Sequence, residues 1–124
     1  MKQINGSKQM KDFWRFSAAG IWENNHGRHP TQKPLSLLCR IILASSQIGD
    51  TILDPFAGSS STGIAANLLG RNYVGIEKEK EYLNLSKQRK IDIETSENVN
   101  RYISKLSGVQ NVDLETYYQN PLFE

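Results

Sequence analysis

Apolar residues in this chain fall into two compact runs and several stretches of helical period. Thr51-Ile52-Leu53 and Tyr73-Val74-Gly75-Ile76 are short and rich in β-branched side chains, which predicts strands over Thr51–Asp54 and Asn72–Ile76. Between them Ile64 and Leu68, and Ala65 and Leu69, repeat four apart, which predicts a helix over Ser61–Leu69. Upstream, Leu35, Leu38, Ile42 and Ser45 stand at i, i+3, i+7 and i+10, with Ile41 flanking. That spacing describes a one-faced helix ready to lie on a sheet. Pro34 suits its first turn and Thr31 is a plausible cap. Lys78 to Lys90 reads as a charged helix with Tyr82, Leu85 and Arg89 along one side. Glu94 to Asn98 reads as a polar linker. Val99, Ile103 and Leu106 then repeat at helical spacing up to Gly108.

The punctuation agrees with these elements. Pro55 has no N–H for a ladder and biases Asp54 away from helix, so Asp54-Pro55 ends the first strand. Gly70 is a good residue just past a helix end, and Arg71 can meet that end's negative pole. Asp12 to Phe16 is expected as a short strand, with Trp14 and Phe16 on one face packing against the sheet. Strand, helix, strand in succession predicts an α/β fold in which the two strands are adjacent, parallel and joined through the Ser61–Leu69 helix. The expected fold class is a partial doubly wound, Rossmann-like sheet.

Composition narrows the picture. A chain of 124 residues with 38% apolar content and a mean hydropathy of −0.52 suits one domain with a small core. No apolar run approaches membrane-spanning length and no secretory pattern opens the chain, so a cytoplasmic location without membrane partners is expected. The single Cys39 excludes an internal disulfide and reads as a small buried apolar residue. His26 and His29 lack a Cys or acidic companion at ligand spacing, so no metal site is expected. The net charge of +2 is concentrated at the start, where Met1 to Lys33 holds six basic residues against two acids. Such an arm suits a phosphate backbone or plain solvent equally.

Candidate chemistry centres on the loop Asp54-Pro55-Phe56-Ala57-Gly58-Ser59-Ser60-Ser61-Thr62-Gly63. Small residues let a ligand approach the backbone, and N–H groups at a helix start favour an anionic group. Gly58 and Gly63 have P-loop spacing, but Ile64 and Ala65 replace the lysine and hydroxyl residue that a triphosphate needs. The dinucleotide fingerprint requires glycine where Ser60 stands. An S-adenosylmethionine loop fits better, because that ligand carries a carboxylate, an ammonium and a ribose but no phosphate. Glu77 ends the second strand 23 positions after Asp54, where a doubly wound sheet places its ribose-binding carboxylate. An ordinary charge at a helix start is the other reading of Glu77.

Asp54-Pro55-Phe56-Ala57-Gly58-Ser59 with Gly75-Ile76-Glu77 resembles the cofactor-binding motifs of DNA amino-methyltransferases. His29-Pro30-Thr31-Gln32-Lys33-Pro34-Leu35 closely resembles the other cofactor motif of that family. The order of the motifs is similar to the permuted class that methylates adenine N6 or, less often, cytosine N4, over Asp12 to about Arg89. The resemblance implies S-adenosylmethionine as cofactor and Thr31, Gln32, Lys33, Pro34, Asp54, Pro55, Phe56, Gly58, Ser59, Ser60 and Glu77 as its contacts. Many members have glycine at the position of Ser60, which a serine can occupy if its backbone stays at negative φ.

The same resemblance implies double-stranded DNA as the substrate of the complete enzyme, within a restriction–modification system. Catalysis in the class uses Asp-Pro-Pro-Tyr, which holds the amino group of a flipped base. No such motif precedes His29, and Asn120-Pro121-Leu122-Phe123 is a poor substitute because Leu122 replaces a proline. Residues 1–28 are therefore expected to be an arm joining an upstream catalytic and target-recognition half, in the same or an adjacent chain. Residues 29–94 would form the S-adenosylmethionine-binding unit, and 95–124 a helix and tail. Alone, the chain is expected to be inactive, with apolar surface on Leu35, Leu38 and Ile42 lacking cover. A non-catalytic cofactor-binding or partner-packing module is the competing expectation.

Overall fold

The computed structural model describes residues 9, 11–23, 26, 27 and 32–106. Two strands, β1 (Thr51–Asp54) and β2 (Asn72–Gly75), pair in parallel with Thr51 opposite Asn72 and Asp54 opposite Gly75. Four helices accompany them: α1 (Leu35–Ser45), α2 (Ser61–Leu68), α3 (Lys80–Ile91) and α4 (Ser96–Lys105). A 3₁₀ turn spans Ile21–Glu23. The expected adjacent, parallel strands linked through a helix are present. No described helix is long and apolar enough to cross a membrane.

One core joins these elements. Leu35, Cys39, Ile42 and Leu43 of α1 meet Ile64, Ala65 and Leu68 of α2, with Val99, Tyr102, Ile103 and Leu106 from the α4 region. Ile52 and Tyr73 pack onto it from the sheet. The buried face of α1 therefore differs from the expected one. It runs through Leu35, Cys39, Ile42 and Leu43, leaving Ser45 exposed and Ile41 43% exposed. The cause is the packing partner: α1 lies chiefly on α2, and its ridge at i, i+4, i+7 and i+8 fills that groove. Leu35 and Ile42 are covered, contrary to expectation. The uncovered apolar surface lies on the other face of the sheet, where Leu53 is 63%, Val74 51% and Ile76 58% exposed.

The link from α2 to β2 is tight. Gly70 takes φ +76°, its N–H donates to Asn67 O at 3.2 Å, and the Arg71 N–H donates to Ala66 O at 2.8 Å. This pair of bonds is a Schellman closure, and the left-handed backbone suits glycine. Arg71 meets the helix end as expected: its guanidinium donates to Leu69 O at 2.6 Å and Ser46 O at 2.7 Å. The one guanidinium thus holds the C-terminal ends of α1 and α2 together.

Three local expectations are corrected. Asp12 to Phe16 forms no strand, and Trp14 lies under the Arg40 guanidinium of α1, 5.0 Å from its ring centre, instead of on the sheet. Glu94 to Asn98 is not all linker: α4 begins at Ser96, with Thr95 Oγ1 accepting the Asn98 N–H at 3.3 Å. Pro34 is the residue before α1 and makes no side-chain cap. Thr31, the expected cap, lies outside the described residues, as do Gly108 and the Asn120 to Phe123 stretch.

Candidate functional site: the groove at the strand ends

The site grows from the way β1 stops. Asp54 Oδ1 accepts the Phe56 N–H at 3.0 Å, turning the chain immediately after the strand. The loop then folds back on β2, with the Ala57 N–H donating to Ile76 O at 2.9 Å. Gly58 N–H donates to Glu77 Oε2 at 2.8 Å, and Glu79 N–H donates to Glu77 Oε1 at 2.8 Å. Glu77 therefore ties the end of β2 to the loop after β1.

Ser60 departs from expectation. Its backbone is left-handed, at φ 57° and ψ 39°, and it is the one non-glycine residue with positive φ among the described residues. Negative φ fails here because Ser60 N–H must reach Ala57 O, at 2.8 Å, while Ser60 O accepts the Ile64 N–H, at 2.9 Å, at the start of α2. The Tyr73 hydroxyl donates to Ser60 Oγ at 3.4 Å. The Tyr73 ring lies against Gly63 and Gly75, where any Cβ would collide with it. Burial pushes the Tyr73 hydroxyl pKa up, and the Ser60 bond lowers it in part.

Two buried charges stand behind the loop. Arg89 of α3 is 5% exposed, and its Nη1 lies 2.9 Å from Ser59 O, 3.0 Å from Ser59 Oγ and 2.9 Å from Ser61 Oγ. Burial pulls its pKa down, while Tyr102, Glu23 and Asp92 oppose that shift. One turn earlier, Ser86 Oγ reaches Gly58 O at 3.2 Å. Glu23 is 6% exposed and accepts Gly20 N–H at 3.0 Å and Leu35 N–H at 2.9 Å. The Leu35 bond caps α1 with a carboxylate from twelve residues upstream. Gln32 Nε2 donates to the Glu23 carbonyl at 3.2 Å, and Ser59 Oγ donates to Gln32 Oε1 at 3.4 Å.

These bonds shape a groove of about 200 Å³ lined by Gln32, Lys33, Asp54, Phe56, Gly58 and Ser59, among others. A second hollow of about 170 Å³ lies between α2, β2 and α3, with Ser60, Tyr73 and Glu77 on its wall. Ala57 lines both. Of the residues singled out in the sequence, six line the first groove, while Ser60 and Glu77 face the second. Pro34 and Pro55 line neither, and Thr31 is outside the described residues. The sequence reading missed Glu23 entirely and placed Arg89 only on a helix face. A charge at i+4 from the buried Leu85 was the available signal for Arg89.

A family model described as DNA methylase (N6_N4_Mtase) matches residues 1–88. The chain belongs to this DNA methylase family. The methylase chain is 64% identical over 89 residues to the type II methyltransferase M2.MboI of Moraxella bovis, covering 72% of this chain and 33% of that protein. M2.DpnII of Streptococcus pneumoniae is 55% identical over the same length and with the same coverage. Among solved structures, M1.HpyAVI in complex with SAM is 47% identical at a TM-score of 0.50, covering 53% of this chain and 33% of that one. The methylase chain thus spans about a third of the length of the curated relatives it matches.

Proposed function

We propose that this chain is the S-adenosylmethionine-binding portion of a site-specific DNA adenine-N6 methyltransferase of a restriction–modification system. The observation that carries the reading is the pair of hollows at the C-terminal ends of two parallel strands, one lined by Asp54 and the other by Glu77, with Ala57 shared between them. That is where doubly wound sheets receive their ligands. Membership of the family and the likeness to a methyltransferase bound to SAM support the same choice.

The residues fit such a cofactor chemically. Lys33 offers a cation to its carboxylate and Asp54 an anion to its ammonium. Glu77, which holds Gly58 and Glu79, is the carboxylate assigned to the vicinal ribose hydroxyls. Phe56, 90% exposed, offers an apolar face beside the groove. Thr31, Gln32, Pro34, Pro55, Ser59 and Ser60 complete the proposed contact set. The bound cofactor would supply an electrophilic methyl group. The base-holding Asp-Pro-Pro-Tyr loop and the DNA-recognition surface belong, in this reading, to the remaining two thirds of the methyltransferase fold, in the same or another polypeptide.

The test is reconstitution. The chain alone should bind S-adenosylmethionine weakly and transfer no labelled methyl to DNA. Mixed with a polypeptide carrying the remainder of the fold, it should methylate DNA, and nucleoside mass spectrometry should find N6-methyladenine. N4-methylcytosine would overturn the adenine assignment. Robust transfer by the chain alone would overturn the portion reading and would equally dismiss a purely non-catalytic module.

A further inference from the structure

The groove has two walls, and each is held from behind by a buried charge that does not line it. The Ser59–Ser61 wall rests on Arg89, whose Nη1 has three oxygens of that loop within 3.0 Å. The Gln32–Lys33 wall rests on Glu23, whose carbonyl takes the Gln32 amide while its carboxylate holds the start of α1 behind it through Leu35 N–H. The walls meet at the Ser59 to Gln32 bond at 3.4 Å, which is long for O–H···O. Hydrogen bonds to a charged group are stronger than neutral ones. A ligand can therefore displace the neutral Ser59–Gln32 contact without disturbing either brace.

We propose that Arg89 and Glu23 are positioning residues of the groove, each bracing one of its walls, so that a ligand parts the weak Ser59–Gln32 clasp without reshaping the loop. Arg89 acts on the loop backbone at the residue just before the left-handed Ser60, where a change of direction costs most. Ser86, one turn earlier on α3, places its hydroxyl between Tyr82 O at 2.8 Å and Gly58 O at 3.2 Å. Helix α3 thus meets the loop with Arg89 as its charged donor. The ligand named for the groove rests on the function proposed above, whereas the bracing itself does not.

Two measurements on the full 124-residue chain separate these. The first is amide hydrogen exchange without ligand. Arg89→Met should raise exchange at Gly58 to Ser61 about tenfold or more, with Arg89→Lys intermediate and the amides of β1 little changed. Glu23→Gln should do the same at Leu35 and leave the loop alone. If Arg89→Met does not fold, Arg89→Lys decides alone. Unchanged loop exchange, or an equal rise across the whole chain, overturns the proposal. The second is calorimetric titration with S-adenosylmethionine, in which folded Arg89 variants should bind about tenfold more weakly. A wild-type chain that binds none overturns the ligand while the exchange result still decides the brace. Unchanged affinity in variants whose loop exchanges faster shows that the brace does not serve binding, and overturns the positioning role.

Discussion

The Glu77 carboxylate accepts the backbone N–H of Gly58 at 2.8 Å, joining two residues nineteen apart across the ends of adjacent strands. That side chain fixes the loop, and under the proposed function it would also offer acceptors to a ribose. A helix-start charge would have only a small effect on stability, and a ribose acceptor only an effect on affinity. The observed bonds to Gly58 and Glu79 account for an effect on stability, and the proposed function adds one on affinity.

Glu77→Ala should accordingly lower the melting temperature and weaken S-adenosylmethionine binding together. Each charged hydrogen bond is worth about 1.5–3 kcal/mol, so an affinity loss of roughly ten- to a hundredfold is expected once the rest of the fold is supplied. Glu77→Gln keeps one neutral acceptor and should fall between. Calorimetric titration beside thermal melts checks this. A lower melting point with unchanged affinity would sink the ribose assignment.

Ser60→Gly should stabilise the chain. A Cβ in the left-handed region costs roughly 1–2 kcal/mol, of which glycine's extra unfolded-state freedom returns about 0.5–1. The long bond from Tyr73 is also lost. A gain of up to about 1 kcal/mol, or roughly 2–5 °C in melting temperature, is expected. Ser60→Ala keeps the strain and loses the hydroxyl, so it should melt below wild type. A melting order other than Gly above Ser above Ala would count against strain at this position.

Cys39 carries a pH dependence. Burial, with Glu23 adding to it, pushes the thiol from its ordinary 9.0 up to about 12. The folded state keeps the proton while the unfolded state loses it, so stability is full below pH 9 and falls as pH rises from 9 towards 12. The slope from this group is at most about 1.4 kcal/mol per pH unit. Denaturant melts of wild type and Cys39→Ala at several alkaline pH values should converge as the pH rises. Parallel curves would show that the thiol does not contribute.

The bare sheet face makes a third class of prediction. Parallel sheets are normally covered on both sides, and here Leu53, Val74 and Ile76 face outward. The chain should self-associate with concentration in sedimentation experiments, and Leu53→Lys with Val74→Lys should abolish this. A wild-type chain that stays monomeric at every concentration would show that the face is tolerated in water.

What could be read in advance follows from how local each cause is. The strands and the α2 crossover were legible because β-branched runs, Pro55 and Gly70 act within a few residues. The face of α1 was misjudged because counting Ser45 and omitting Cys39 and Leu43 rotates the stripe, and only the groove of α2 decides between them. Glu23 and Arg89 were hidden because their partners are backbone atoms and hydroxyls 12 to 30 residues away. The one sign of the positive φ at Ser60 is the glycine that many members of the resembled family carry there, a sign that the serine itself masks because serine seldom adopts that region. At the other end of the chain's reach, His26 finds Asp92 at 2.6 Å across 66 residues, a pairing that spacing does not announce.

The short closure at Gly70 has a consequence for length. Helix α2 has eight residues, a rise of about 12 Å, and β1 has four, a rise of about 13 Å. The crossover therefore climbs and descends by the same amount, and Arg71 pins its lower end. With no slack in the return, the height of the Gly58–Ser60 loop above the strand tips is fixed by residue arithmetic. One residue inserted into α2 would turn its Ile64 and Leu68 side by about 100° out of the core, and four would lift the loop by about one helical turn. The spacing between the loop and Gly70 is thus as much a part of the groove as the side chains that line it.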